Sequence, residues 1–145
     1  MPTSGSTLGD VSRRVGGHLS GDPATRLTDV THDSRSAGPG VLFVAVRGSN
    51  HDGHDDVEAA VASGSPAVAV EHPVPIDVGQ LVVDDTRAVM GAMAAEVHGD
   101  PSTHVAVVGV TGTNGKTTVT HYIETMLDSA GRLAGLIGTV HTRVG

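Results

Sequence analysis

VAVVGVTGTNGKTTVTHYIETML, residues 105–127, divides into three parts of different periodicity. The apolar run from His104 to Val110 predicts a buried parallel strand, and a turn rich in Gly and Thr follows it. Tyr122, Ile123, Met126 and Leu127 then recur at the spacing of one helix face. This order sets a helix N-terminus at the end of a buried strand. First-turn N–H groups have no partner inside the helix, and the helix dipole adds partial positive charge at the same end. Small residues at Gly112 and Gly115 let those N–H groups converge on phosphate oxygens. Lys116 adds an ammonium that can reach β and γ phosphates, and the Thr117 hydroxyl is placed to ligate a Mg²⁺ that keeps several of its waters.

The generic phosphate-loop pattern G-x-x-x-x-G-K-[ST] fails here by one residue, because position 110 is Val110 and the glycine is Gly109. A Gly-rich turn with an incidental lysine is the competing reading. Against it, Lys116 is the only lysine of the chain, and it stands where phosphate chemistry requires a cation. The dinucleotide pattern G-x-G-x-x-G is absent, which disfavours a dehydrogenase.

Composition narrows the rest. A chain of 145 residues is about one ordinary domain, long enough for a buried core. With one Phe, one Tyr and no Trp, that core has to be aliphatic. A formal charge of −7 leaves no wide cationic face for a duplex, so nucleic acid is not the expected partner. The absence of cysteine excludes disulfides, thiol catalysis and Cys-type zinc sites. The first twenty residues lack an apolar signal region and no run nears 18 apolar residues, so a soluble cytoplasmic protein without membrane insertion is expected.

Upstream of the loop, short apolar runs alternate with helical faces, the signature of an α/β fold. Leu8, Val11 and Val15 predict a first helix capped at Thr7 and stopped at Gly16-Gly17. Strands are expected over Leu27–Thr31, Val41–Val46, Ala67–Val70 and Leu81–Val83. Helices are expected around Val57–Val61 and over Thr86–His98. Gly99-Asp100-Pro101-Ser102 breaks the chain and predicts a boundary between residues 1–98 and 99–145.

The run TGTNGKTT, residues 111–118, resembles the ATP-binding loop of the Mur ligases, whose glycine carries the same offset. Residues 31–71, THDSRSAGPGVLFVAVRGSNHDGHDDVEAAVASGSPAVAVE, resemble the N-terminal domain of the branch that forms the tripeptide precursor. GRLAGLIGTV, residues 131–140, resembles the text after its first ATPase helix. Asp56 stands where the family often has an aromatic residue, and Val41 where it often has aspartate. The branch that adds D-alanyl-D-alanine has a similar N-terminal text. TGTNGKTT together with LIGTV favours the tripeptide step.

This resemblance implies a small UDP-binding α/β domain followed by the start of a phosphate-loop ATPase domain with a parallel sheet. It implies an ATP- and Mg²⁺-dependent amide ligase of peptidoglycan precursor synthesis, monomeric, joining a diamino acid to UDP-N-acetylmuramoyl-L-alanyl-D-glutamate. The γ-phosphoryl group passes to the glutamate side-chain carboxylate, and the amine then attacks the acyl phosphate. Gly112, Thr113, Asn114, Gly115, Lys116, Thr117 and Thr118 would hold the triphosphate, with Lys116 and Thr117 serving catalysis and Thr117 holding magnesium. The uridine diphosphate would lie against His32, Ser34, Ser49, Asn50 and His51. One lysine against eight arginines suggests a GC-rich genome and favours meso-diaminopimelate over lysine. Family members have three domains, and their second magnesium ligand, modified lysine, adenine contacts and amino-acid-selecting domain would fall after Gly145. The expectation is therefore an N-terminal piece without ligase activity of its own. A lone phosphate-loop module that binds a nucleotide without ligation is the alternative from another class.

The run His51-Asp52-Gly53-His54-Asp55-Asp56 invites a metal hypothesis. The calcium-loop template aligned on Gly53 puts Gly48 at its first position and Ala59 at its twelfth, so both key carboxylates are missing. A solvated loop capping the next helix is the plainer reading. For Ser34 and Arg35 the plainer reading is a local turn with a surface cation, and for His121 and Tyr122 it is ordinary surface or core placement.

Overall fold

Leu42, Phe43 and Val44 are all fully buried although they are consecutive in one strand, so both faces of their sheet are covered. In the computed structural model, which describes residues 5–138 and 142–144, the chain divides into two units, Met1–Val105 and Ala106–Gly145. The first unit contains β1 (Ser6–Thr7), α1 (Leu8–Val15), β2 (His18–Ser20), β3 (Arg26–Leu27), β4 (Asp29–Thr31), β5 (Val41–Val44), α2 (Val57–Ala62), β6 (Ala67–Val70), β7 (Gly79–Val82) and α3 (Thr86–His98).

The main sheet has the order β2-β7-β6-β5-β4. Strands β4 to β7 are parallel, with Leu42 opposite Ala67 and Phe43 opposite Val68, and β2 closes the far edge antiparallel to β7. The period-2 alternation of a strand sorts the side chains into two cores. Leu42, Val44, Ala67, Ala69 and Leu81 pack with Leu8 and Val11 of α1 and Met93 and Val97 of α3. Phe43, Ala45, Val68 and Val70 pack with Val57 and Ala60 of α2. The core is aliphatic apart from Phe43.

The helix ends follow from side-chain chemistry. The Thr7 hydroxyl accepts the Asp10 N–H, while the Asp10 carboxylate accepts the Thr7 N–H at 2.9 Å, a reciprocal capping box. Asp85 caps α3 by accepting the Ala88 N–H at 2.9 Å. After α3, Arg14 forms two hydrogen bonds to the Asp100 carboxylate at 2.6 and 2.7 Å, which ties residues just past the helix to α1.

The second unit contains α4 (Lys116–Ser129), β8 (Gly135–Ile137) and β9 (Thr142–Val144). One expectation is corrected where the two units meet along the chain. His104–Val110 is not a strand, and Val105, Val107 and Val108 are 63%, 73% and 65% exposed. A strand needs a neighbour for its N–H and C=O groups, and among the described residues no ladder forms with this run. After α4, β8 pairs antiparallel with β9. Thr139 and Val140, the end of the run 131–140 that carries the resemblance, lie outside the described residues.

Candidate functional site

The loop before α4 takes its shape from two glycines. Gly112 has φ of 151° and Gly115 has φ of 76°, both in the region that only glycine enters without strain. Gly115 is the N-cap of α4 and makes no side-chain cap hydrogen bond, so the first-turn N–H groups are available to an anion. A Cβ at Gly115 would meet nothing within 4 Å, which leaves the mouth of the turn open. The Lys116 ammonium folds back over this turn and donates to the Gly112 carbonyl. The Thr117 carbonyl accepts the Thr120 hydroxyl at 2.8 Å, and Thr117, Thr118, Thr113 and Asn114 are all exposed. Open N–H groups, one cation and exposed hydroxyls form a donor set that fits a triphosphate with a hydrated magnesium ion. Tyr122 is exposed, and His121 meets Glu124 of its own helix at 3.2 Å.

In the first unit the other candidates gather at one edge of the sheet. His32 and Ser34 follow β4, and Ser49, Asn50 and His51 follow its parallel neighbour β5. Both segments therefore leave the carboxyl ends of adjacent strands, where open α/β sheets receive ligands. After β4, the Thr31 hydroxyl accepts the Asp33 N–H at 3.1 Å, and Asp33 accepts the Arg35 N–H at 3.0 Å. The Arg35 guanidinium binds both Asp33 oxygens at 2.9 and 2.8 Å. These bonds hold the Asp33 carboxyl down at about 2. Asp33 and Arg35 thus satisfy each other, and half-buried Ser34 begins the single helical turn Ser34–Ser36 beside exposed His32.

After β5 the chain makes a tight return. Arg47 pairs antiparallel with Asp52, and the Gly48 N–H donates to the His51 carbonyl at 2.8 Å. Ser49, Asn50 and His51 are carried at the exposed tip. Gly53 presses this return onto the strand end, because a Cβ there would lie 2.7 Å from the Val46 nitrogen. The His51 ring meets the Asp56 carboxylate at 2.8 Å, which raises its pKa. Among the described residues no group of three or more His, Asp or Glu side chains is placed to hold a metal ion.

Sequence reading missed the polar groups under this return. His54, with a side chain 6% exposed, joins Asp52 at 2.6 Å and the Glu71 N–H at 2.9 Å. Glu71 in turn faces Arg47 at 3.4 Å and accepts the Thr86 N–H at 3.3 Å. The buried Thr86 hydroxyl donates to the Ala45 carbonyl at 2.7 Å. The Asp-x-His spacing of Asp52 and His54, in which a carboxylate can accept the N–H two residues on, was the available signal.

Comparison with known proteins follows the same division of the chain. Residues 26–108 match the model described as the Mur ligase family, catalytic domain, and residues 110–145 match the Mur ligase middle domain. The UDP-N-acetylmuramoyl-L-alanyl-D-glutamate–2,6-diaminopimelate ligase of Aquifex aeolicus is 45% identical over 120 residues, covering 83% of this chain and 25% of that protein. The chain thus spans about a quarter of the length of this curated relative. Among solved structures, MurF from Acinetobacter baumannii superposes with a TM-score of 0.76 at 28% identity, over 97% of this chain and 31% of that one. MurF from Thermotoga maritima, solved in complex with ADP, gives 0.57 at 30% identity over 70% of this chain and 23% of that one. A glycine displaced by one position in the phosphate loop, on a chain whose two units each match a Mur ligase domain, leaves one assignment: the chain belongs to the Mur ligase family.

Proposed function

We propose that the chain is the UDP-substrate-binding domain and the beginning of the ATP-binding domain of a Mur ligase that adds a diamino acid to UDP-N-acetylmuramoyl-L-alanyl-D-glutamate. The observation that carries this reading is the loop Gly112–Thr118, with its uncapped helix N-terminus and the Lys116 ammonium folded over it. The identity of 45% to a diaminopimelate-adding ligase supports the tripeptide step, with diaminopimelate as the diamino acid.

In this reading the backbone N–H groups from Gly112 to Thr118 bind the phosphate oxygens of ATP, the substrate. Lys116 moves from the Gly112 carbonyl to a phosphate oxygen, exchanging a neutral acceptor for an anionic one. A magnesium ion held by the Thr117 hydroxyl would neutralise charge on the transferring phosphoryl group. His32, Ser34, Ser49, Asn50 and His51 bind the uridine diphosphate end of the other substrate at the carboxyl edge of the first sheet. Amide formation is an activity of the whole ligase, acting as a cytoplasmic monomer, in which the phosphorylated carboxylate is attacked by the diamino acid.

Titration of the 145-residue chain with UDP-N-acetylmuramoyl-L-alanyl-D-glutamate tests the first half of the proposal. Saturable binding that uridine diphosphate competes away is expected. No heat at millimolar ligand would remove the substrate-binding assignment.

A further inference from the structure

The direction of hydrogen bonding fixes the state of His54. Its Nε2 lies 2.9 Å from the Glu71 backbone nitrogen, which can only donate. Nε2 is therefore the acceptor and bears no proton. The ring proton sits on Nδ1, 2.6 Å from the Asp52 carboxylate, which can only accept. Neutral His54 thus passes a hydrogen bond in one direction, from the β6 end through its ring to Asp52.

Both ends of this relay are structural anchors. Glu71 follows directly on β6, and Thr86 at the start of α3 donates its N–H to the Glu71 carboxylate at 3.3 Å. Asp52 is the residue that pairs with Arg47 across the base of the return, and its second oxygen takes the Arg47 guanidinium at 3.1 Å. The Arg47 carbonyl accepts from Arg87 of α3 at 2.9 Å. The His72 ring stacks on His54, with centroids 4.6 Å apart and planes 15° from parallel. The tip residues Ser49 and Asn50 are exposed. The return is held at its base, and its tip is offered to solvent.

We infer that His54 is a positioning residue for nucleotide binding: through Asp52 on one side and the Glu71 backbone on the other, it clamps the Gly48–His51 tip to the carboxyl end of the sheet, where Ser49, Asn50 and His51 meet a uridine diphosphate group. This rests on the reading of the first unit as a uridine-nucleotide domain. It adds that the affinity of the tip depends on a buried side chain beneath it. The ligand chemistry expected is a diphosphate with its nucleoside, bound by an ordered polar tip whose ordering cost has already been met before the ligand arrives.

The test is calorimetric titration of uridine diphosphate into the 145-residue chain and its variants, with thermal unfolding recorded for each. His54→Leu fills the same space without a donor or acceptor, and His54→Gln keeps one of each. The expected result is about tenfold weaker binding for His54→Leu, within threefold of wild type for His54→Gln, and cooperative unfolding in both. Wild-type affinity in His54→Leu would overturn the inference, as would equal loss in the two variants, since a residue acting by bulk alone gains nothing from a restored relay. Should His54→Leu not fold, the decision passes to Asp52→Ala, which frees the base of the return from the exposed side. Tenfold weaker binding there supports the clamp, and unchanged binding overturns it. A wild-type chain that binds no uridine diphosphate removes the substrate-domain reading itself, and the clamp with it.

Discussion

The ammonium of Lys116 donates to the carbonyl of Gly112, four residues earlier, so the only lysine of the chain is already folded over the turn that would hold a phosphate. Replacing the neutral carbonyl by a phosphate oxygen gives the ammonium an anionic acceptor, so both partners of the bond are then charged. Lys116→Ala is expected to weaken Mg·ATP binding by the whole protein at least tenfold, the order of a charged hydrogen bond of about 1.5–3 kcal/mol. Uridine diphosphate binding is expected to stay unchanged, because its candidate residues lie in the first unit. Calorimetry with both nucleotides decides, and unchanged ATP affinity would rule out the phosphate-loop assignment.

Thr117 separates the metal from the loop. Its side chain is exposed in the first turn of α4, and Ala in its place leaves the backbone donors intact. Thr117→Ala is expected to reduce ATP affinity several-fold with Mg²⁺ and hardly at all with a chelator present. Equal loss under both conditions would point to a collapsed loop instead of a missing ligand.

Much of this architecture was readable from local pattern. Thr7 and Gly16 do bound α1. The strands β5 and β6 are continuous apolar runs because both their faces are covered. What local pattern could not supply was pairing. β2 is three residues with one partly buried side chain, and it exists because it pairs with β7 some sixty residues away. Val105–Val110 is apolar like β6 but forms no ladder among the described residues, so apolarity alone did not make it a strand. His51 and His54 both stand among acids, and the Asp52-x-His54 spacing signals a local bond but not which ring is buried. The Glu71 N–H, seventeen residues on, meets His54 and helps to hold it as the buried member.

Gly53 tests the close approach beneath the return. A Cβ at that position would sit 2.7 Å from the Val46 nitrogen and 2.9 Å from its carbonyl oxygen, both backbone atoms that cannot rotate away. Gly53→Ala is expected to destabilise the first unit by about 1–3 kcal/mol, the usual range for overpacking against fixed neighbours. A lower urea midpoint with an unchanged slope is the signature. A variant as stable as the parent would mean that the return can lift off β5 at no cost.

The Asp52 carboxyl titrates at about 2, chiefly because the His54 N–H and ring donate to it. A carboxyl lowered from 3.8 in the folded state contributes stability that is fully present above its unfolded value and lost as pH falls toward 2. Asp52→Asn is therefore expected to be less stable than the parent at pH 7, and the difference should shrink between pH 4 and about pH 2. Carboxyl ¹³C shifts of Asp52 followed over the same range check the titration directly. A midpoint near 4 would show that the His54 contacts do not persist in solution.

The two units should also differ in how firmly they hold their backbone protons. Leu42–Val44 and Ala67–Val70 sit in central strands with ladders on both sides and almost no exposure, so their amides exchange only in large openings. Val105–Val110 makes no strand ladder among the described residues, and three of its valines are more than 60% exposed. Hydrogen exchange on the 145-residue chain is expected to give slow exchange in β5 and β6 and rates near those of an unstructured peptide from Val105 to Val110. ATP should slow the latter little, since its phosphates would be held by the turn and by α4 and not by the segment before them. Strong protection of Val105–Val110 would mean that in solution this run finds a strand partner, and the apolar text around Gly109 would then be a formed part of the ATPase sheet.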